Sequence, residues 1–243
     1  MLAKQFSHNL VSFVGVVEDL DDPLKLGRCR VRVFNYHGED IETDQLDWAT
    51  QIQSSSASLQ GVGISPTWLL KGTIVIGIYL DGDQRTMPMI IGSIATIPEN
   101  DEEQHGVNKL ARGEVDKETE KVGSEPSREN KREYPHNKVI STLAGHVIEL
   151  DDTPGAERVN IQHSAGSYIE INKDGRMVIK AAGDSYNITA KDETAHTAGK
   201  SKKTVKGNCT IEVDGTMTLK SRGTCLIQST GNVNIKGAKV NLQ

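Results

Sequence analysis

The last third of the chain repeats with a period of eight residues. In steps of eight from Gly175 to Lys239, seven of nine positions are glycine. Residues two and four positions after most of these glycines are apolar: Met177, Ile179, Cys209, Ile211, Met217, Leu219, Cys225, Ile227, Val233 and Ile235. Apolar residues that recur with a period of two indicate a strand, and glycine gives the backbone the freedom to turn a corner. The repeat therefore predicts a stack of short strands joined by corners.

The length of the repeat decides how these strands close around a core. Eight extended residues span at most about 26 to 28 Å, which is enough for one face and one corner of a prism. A single chain would leave its ends and long strand edges exposed. Three intertwined copies would bury every apolar stripe along one axis and pair each strand with a neighbouring chain. The sequence therefore predicts a homotrimeric β-prism whose interior holds the ten apolar residues named above.

The middle of this predicted shaft is polar. Between Gly183 and Val205, the positions expected to point inward carry Ser185, Asn187, Thr189, Glu193, Ala195, Thr197, Ser201 and Lys203. Buried polar groups need partners. We therefore expect water or ions along the axis, held by Glu193 and Lys203; the alternative is a register shift of one residue that turns Tyr186 and Ile188 inward.

The N-terminal part of the chain has a different pattern. After a polar arm at residues 1–10, alternating apolar residues predict five short strands, at Val11–Val17, Arg28–Phe34, Trp48–Gln53, Thr73–Leu80 and Met87–Ile94. Short strands separated by turns rich in Asp and Gly predict a small closed barrel over residues 11–97. The second strand alternates Arg28, Arg30 and Arg32 with apolar residues, and we expect these arginines to lie on a solvated or subunit-facing surface rather than in the alternative, a ligand site.

Between the barrel and the repeats, the composition changes twice. Residues 98–137 are dominated by charged and small residues without a sustained apolar stripe, which indicates a charged linker. The predicted second domain covers residues 138–243 and includes the eight-residue repeats. Near its start, the segment Asp151–Gly155 predicts a turn between two alternating strands.

Composition and charge narrow the functional classes. Aromatic residues make up only 4% of the chain and the net charge is −5, which argues against nucleic acid or an anionic membrane as the main partner without excluding either locally. The three cysteines form no disulfide framework and are expected to be small buried hydrophobes. The sequence shows neither a membrane span nor a secretory leader, so we expect synthesis and folding in the cytoplasm.

The sequence offers no pattern typical of a catalytic or metal site. Asp151 and Asp152 are adjacent, so on a strand they point to opposite faces. The seven histidines are scattered without a spacing typical of metal ligands, and phosphate-binding and dinucleotide-binding motifs are missing. We therefore expect no enzyme, no metal and no cofactor. Cleavage of polysaccharide would require long irregular coils bearing carboxylates, for which eight-residue repeats leave no room.

Two blocks of sequence resemble one known family. Gly15–Asp19, Asp22–Val33, Tyr36-His37, Asp47–Ala49 and Gly77–Asp83 resemble the N-terminal OB-fold domain of the central spike protein in contractile phage tail baseplates and, more distantly, the VgrG spikes of type VI secretion systems. The segments Tyr134–Val139, Gly145–Val159, His163 and Gly166–Ile171 resemble the opening of that family's C-terminal β-helical domain. The resemblance implies an all-β protein with an OB-fold barrel followed by an intertwined trimeric β-helix.

The resemblance also implies a function and partners. It implies a structural spike in the virion tail baseplate, assembled in the host cytoplasm, that pierces the host outer envelope when the sheath contracts. Its OB-fold domain would bind a trimeric hub that caps the tail tube. A lysozyme domain found at this point in a relative cannot fit into residues 98–137. The alternatives are a spike of a type VI-like system and an OB-fold protein that binds nucleic acid or sugar; the low aromatic content and negative charge disfavour the last.

The C-terminal end of the repeats lacks a tapering device. The pattern continues to the last four residues, Val240, Asn241, Leu242 and Gln243, without a histidine pair or a bulky apolar plug. Three strands that simply stop would leave unpaired backbone groups and apolar ends exposed. We therefore expect these four residues to bind a separate conical tip protein, which by resemblance to the spike family would be of the PAAR-repeat type.

Overall fold

The chain is all-β in the computed structural model, which describes residues 9–55, 62–97, 106–114, 121–128 and 130–241. It divides into two units, residues 1–186 and 187–243. The described strands are β1 (Val11–Asp19), β2 (Cys29–Val33), β3 (Trp48–Gln51), β4 (Ile74–Tyr79), β5 (Pro88–Ile94), β6 (Asn137–Ser141), β7 (Val147–Asp151), β8 (Arg158–Gln162), β9 (Tyr168–Asn172) and β10 (Met177–Lys180). Two short 3-10 helices lie at Thr43–Gln45 and Gly82–Gln84; over the described ranges, no helix is long and apolar enough to cross a membrane.

The first five strands form a closed barrel in the order β1-β2-β3-β5-β4. All neighbours are antiparallel except β3 and β5, which run parallel. The barrel predicted from the sequence is therefore confirmed, and its strands begin and end close to the predicted residues. Alternation places one face of each strand inside, where Phe13, Val17, Cys29, Val31, Val33, Ala49, Val75, Tyr79 and Ile90 form the core.

Close packing in this core depends on a glycine and a buried thiol. Gly77 on β4 lies so close to the Phe13 ring and the Met89 carbonyl that a Cβ would overlap both. Phe13 also packs on Tyr79, with ring centroids 5.0 Å apart. Cys29 is fully buried, and burial raises the pKa of its thiol to about 11, so it acts as a small hydrophobe as predicted.

The arginines of the second strand fasten the barrel's own loops. Arg28 pairs with Asp22 at 2.6 Å, and this contact holds the pKa of the Asp22 carboxyl well below its usual range. Arg32 donates to both Glu18 oxygens, at 2.6 and 3.0 Å, and lowers the pKa of that carboxyl. Arg30 donates to the Thr43, Asp44 and Leu46 carbonyls. These side chains are therefore engaged within the chain rather than solvated, because Asp22 holds Arg28 and the loop after β2 folds back over Arg30 and Arg32. A subunit-facing position for them stays a prediction.

Strands β6 to β10 form a second sheet in simple order, each antiparallel to the next. The turn between β7 and β8 contains the predicted Asp151–Gly155 segment, where the Thr153 N–H donates to Asp151 Oδ1 at 3.0 Å. Asp151 is buried and Asp152 is exposed. The two carboxylates therefore point to opposite faces, as the sequence predicted.

After β10 the chain keeps its eight-residue period. Residues 181–241 form no helix and pair with no strand, and every one of them is exposed. The chain bends at 182–183, 190–191, 198–199, 206–207, 214–215, 222–223 and 230–231. Each bend falls on the glycine or lysine of the eight-residue count, so the predicted corners are present. The trimeric β-helix itself stays a prediction.

Candidate assembly surface

The second sheet has one apolar face and one polar face. The register aligns Ile140, Ile148, Ile161, Ile169 and Ile179 in one row across all five strands. A parallel row on the same face contains Lys138, Leu150, Val159, Ile171 and Met177. We call these two rows the isoleucine face.

The isoleucine face is exposed to solvent in the described part of the single chain. Ile148 is 47% exposed and Ile161 48% exposed, although both lie on inner strands of the sheet. Their exposure means that none of the described residues covers this face. A continuous exposed apolar patch on a rigid sheet is typical of an assembly surface.

The opposite, polar face is covered by the chain itself. Residues 121–128 and 130–136, here called the strap, contribute Arg128 and Arg132 to this face, and Leu110 upstream of the strap is only 2% exposed. The Asn137 side chain donates to the Leu110 carbonyl at 3.0 Å, which holds the upstream segment against β6. The segment predicted as a charged linker therefore contacts the sheet in its described part.

Glu149 is the centre of the buried polar network. One oxygen, Oε1, accepts from Arg132 Nε at 2.6 Å and from Asn137 Nδ2 at 2.7 Å. The other, Oε2, accepts from Arg158 Nη2 at 2.8 Å and from Asn160 Nδ2 at 3.1 Å. Burial alone would raise the pKa of Glu149, but the Arg132 hydrogen bond and the two guanidinium charges outweigh it and lower the pKa to about 2. The carboxylate is therefore ionised at neutral pH.

Arg128 extends the network to the next strand. Its guanidinium pairs with Glu170 at 3.1 Å and donates to Asn160 Oδ1 at 2.9 Å, and it lies 4.2 Å from the ring centroid of Tyr168. Tyr168 donates its hydroxyl to Glu125 Oε1 at 2.6 Å, and this bond holds the pKa of Glu125 at about 2. Burial, together with Glu125, raises the pKa of Tyr168 to about 12. These bonds fix the strap to β8 and β9.

The acidic and basic groups of this network balance. Arg128, Arg132 and Arg158 face Glu149, Glu170 and Asp151, with Arg158 Nη1 3.4 Å from Glu170 and Nε 3.9 Å from Asp151. Lys180 Nζ lies 2.9 Å from Glu125 Oε2 and balances the remaining carboxylate. A charge-balanced arrangement covers the polar face within one chain. It leaves the isoleucine face as the side of the sheet that is open to other molecules.

The residues predicted to line the shaft fall into two groups in the structure. Met177 and Ile179 lie on β10 within the isoleucine face, which connects the repeat pattern to the sheet. Cys209, Ile211, Met217, Leu219, Cys225, Ile227, Val233 and Ile235 are all exposed along the single chain. Their burial in a shaft remains a prediction.

The other predicted sites are only partly visible. Glu193 accepts a hydrogen bond from Asn187 Nδ2 at 3.2 Å, and Lys203 is exposed. Val240 and Asn241 are also exposed, and Leu242 and Gln243 lie outside the described residues. Among described side chains, no group of three or more His, Cys, Asp or Glu is placed to hold a metal ion.

Sequence reasoning missed the strap network. The alternation in β7 contained the signal, because Glu149 and Asp151 share one face while Ile148 and Leu150 share the other. Alternation alone does not show which face is covered. Finding the partners required contacts such as Arg132 to Glu149, which are 17 residues apart in sequence.

Comparison with known proteins gives the family. A family model described as the Gp5 N-terminal OB domain matches residues 34–175, from the end of β2 to the turn before β10. Protein Gp5 of Vibrio phage KVP40 is 28% identical over 277 residues, which include 85% of this chain and 66% of that protein. The pre-baseplate central spike protein Gp5 of Enterobacteria phage T4 is 36% identical over 103 residues, which include 39% of this chain and 18% of that protein. The chain thus spans less than two thirds of each relative's length, but the family model covers more than half of the chain, which therefore belongs to the Gp5 N-terminal OB domain family.

Proposed function

We propose that this chain is the structural central spike of a contractile phage tail baseplate, and that it works as a homotrimer. Its role is mechanical: a rigid β-helical needle transmits the thrust of sheath contraction and pierces the host outer envelope. Family membership and the similarity to the T4 relative, a pre-baseplate central spike protein, support this proposal. The bare isoleucine face is the structural observation that carries it.

The isoleucine face requires a partner with a matching apolar surface. Two rows of mainly aliphatic side chains cross five strands and continue in sequence into the apolar positions of the repeats, from Met177 and Ile179 onward. A second and a third copy of the chain offer the same rows around a common axis. Three copies therefore bury the face and the repeats in one continuous core.

The covered polar face supports the same arrangement. The strap already satisfies Glu149 and Glu170 within one chain. Copies that assemble through the isoleucine face leave this network undisturbed on the outer side of each sheet. The proposal therefore does not require the buried charges to exchange partners during assembly, which would be costly.

The same proposal assigns the two ends of the spike. The OB-fold barrel of residues 11–97 binds a trimeric hub that caps the tail tube, and residues 98–137 connect it to the β-helical domain of residues 138–243. A PAAR-type tip protein binds the C-terminal end, at Val240 to Gln243. The particle is assembled in the host cytoplasm, the spike resides in the virion tail baseplate, and it contacts the host envelope transiently. It has no catalytic role.

The solution mass of the full-length protein tests the proposal. Light scattering at micromolar concentration should give three times the chain mass of 26.5 kDa. Ile161→Asp places a charge in the middle of the isoleucine face and should shift the protein to lower mass, because an unpaired charge is costly in an apolar interface. Lys173→Asp, in the exposed turn between β9 and β10, is the matched control and should leave the trimer intact. A wild-type protein with the mass of one chain would refute the trimer.

A further inference from the structure

The repeat region has the opposite charge to the rest of the chain. Residues 181–243 contain nine Lys or Arg and five Asp or Glu, whereas the whole chain has a net charge of −5. The repeat region is therefore basic, and residues 1–180, which contain the barrel, strap and sheet, are acidic. Such a separation of charge indicates that the two ends contact different kinds of surface.

The excess positive charge is concentrated in one eight-residue repeat. Residues 199–206 contain four lysines, at positions 200, 202, 203 and 206, which we call the lysine belt. Residues 194–211 contain no Asp or Glu. All four lysines are exposed, and the described residues provide no ion pair to any of them.

The alternation of the repeat directs most of the belt outward. The interior positions lie two, four and six residues after the corner at Gly199, which assigns Lys203 to the axis. Lys200, Lys202 and Lys206 have the opposite parity and lie on the outer surface. Threefold symmetry places the three copies of one repeat at the same height, so these lysines form a ring without an intervening carboxylate from their own repeat.

We propose that the lysine belt binds the anionic phosphate headgroups of a lipid bilayer. Clusters of lysine attract such headgroups by charge alone, without a shaped pocket. The described chain after Tyr186 contains no Phe, Trp or Tyr, so it lacks the aromatic platforms on which proteins stack the bases of single-stranded nucleic acid. The belt also contains no Arg, the side chain that most often reads bases in duplex DNA. A membrane surface therefore fits this ring better than a nucleic acid.

This inference rests on the proposed spike function, since the ring exists only in a trimer that meets the host envelope. It adds a defined contact to that function. As the needle advances, the belt holds it at the charged surface of the bilayer before or during passage. The remaining acidic part of the chain is repelled from the same surface, which confines the contact to the shaft.

Vesicle sedimentation with the full-length protein tests the lysine belt. The protein should bind vesicles of phosphatidylcholine mixed with phosphatidylglycerol, bind phosphatidylcholine alone weakly, and lose binding as salt is raised. Replacing Lys200, Lys202 and Lys206 together by Gln should weaken binding to the anionic vesicles by roughly tenfold or more. Replacing the same three lysines by Arg should preserve binding, because the charge is kept.

A second triple variant controls for net charge. Replacing Lys191, Lys220 and Lys236 by Gln removes the same charge from scattered positions of the shaft and should change binding by less than about threefold. An equal loss in both Gln variants, equal binding to both kinds of vesicle, or tighter binding of a short DNA duplex than of anionic vesicles would overturn the proposal.

Light scattering on the same samples separates this inference from the proposed function. A wild-type protein with the mass of one chain contradicts the spike. A trimer that does not bind anionic vesicles contradicts only the proposed membrane contact of the lysine belt. Both are supported if the Lys200, Lys202 and Lys206 Gln variant stays trimeric and binds anionic vesicles more weakly while the control variant does not.

Discussion

Ile148 and Glu149 are neighbours on β7, yet the isoleucine is 47% exposed and the glutamate is fully buried. In most water-soluble sheets the apolar side chain would be the covered one. Here Arg132 of the strap and Arg158 of β8 supply charges of opposite sign to the glutamate, whereas none of the described residues covers the isoleucine. The inversion supports the proposed assembly, in which the strap covers one face of the sheet within one chain and further copies of the chain cover the other.

Removing the Glu149 carboxylate should strongly destabilise the sheet. Glu149→Ala leaves Arg132 and Arg158 as buried charges without their main partner. Breaking a buried pair in this way typically costs about 3 to 5 kcal/mol. The free energy of unfolding, from urea titration followed by circular dichroism, should fall by this amount. Glu39→Ala, in an exposed loop of the barrel, should change it by less than about 0.5 kcal/mol, and a similar loss in both variants would contradict the role of the network.

The same carboxylate predicts a loss of stability in acid. Folding lowers the pKa of Glu149 from its ordinary value of 4.5 to about 2. Its stabilising contribution is therefore complete above about pH 4.5 and is lost as the pH falls towards 2, and it is on the order of 3 kcal/mol. Urea midpoints measured from pH 5 to pH 2.5 should fall steeply for the wild type. Glu149→Gln should show a shallower slope in this window, and equal slopes would show that other carboxylates dominate.

Two glycines of the barrel provide a matched test of its packing. Gly77→Ala on β4 drives a methyl group into the Phe13 ring and the Met89 carbonyl, whereas no atom lies within 4 Å of the Cβ that Gly92→Ala would add on β5. The first substitution should destabilise the barrel by about 1 to 3 kcal/mol or more, and the second should be close to neutral. Thermal unfolding of both variants measures the difference. Equal melting temperatures would contradict the packing at Gly77.

The structure of the barrel could be predicted from the sequence more fully than that of the strap. The barrel strands follow from local alternation and turn residues, as in the alternation of Cys29, Val31 and Val33, all of which are buried. The partners of Arg32 on β2 were not predictable from local sequence. Its guanidinium contacts Glu18 on the neighbouring strand β1, and it contacts the Ile41 carbonyl because the loop after β2 folds back. The face of a strand is a local property, whereas the partner of a charge depends on tertiary structure.

The strap shows the same limit more strongly. Its sequence lacks an apolar stripe, so hydrophobic periodicity gives no sign that it packs on a sheet. Arg128 nevertheless contacts Glu170, 42 residues away in sequence. Only the isoleucine face had a local signal, in the alternation of β7 to β10, and even there the sequence does not show which face is covered first.

The polar middle of the shaft should be hydrated. The eight-residue count assigns Glu193 and Lys203 to interior positions of the proposed shaft, where the apolar pattern of the flanking repeats stops, and polar groups on a closed axis need water or ions as partners. A high-resolution structure of the trimer should show ordered water or ions between residues 183 and 205. A dry axis filled by Tyr186 and Ile188 would indicate a register shift of one residue instead.

The C-terminal end should be separable from the trimer. Deleting residues 231–243 removes the last repeat with Val240 and Asn241 but leaves the earlier repeats to interlock. The truncated protein should remain trimeric by light scattering and should lose binding to a PAAR-type tip protein in a pull-down. Retained binding, or a structure of the full needle whose own C-termini form a pointed apex, would contradict tip docking at these residues.

The bends between residues 182 and 231 recur every eight residues, so the length of the repeat region is set by the number of repeats. Inserting or deleting a whole repeat, such as residues 207–214, changes the length of the proposed shaft by one repeat. Every later side chain stays on its original face. Deleting a single residue transposes all later side chains to the opposite face. In the proposed spike, the length of the shaft can therefore change by duplication of one short module, without any change to the barrel, the strap or the isoleucine face.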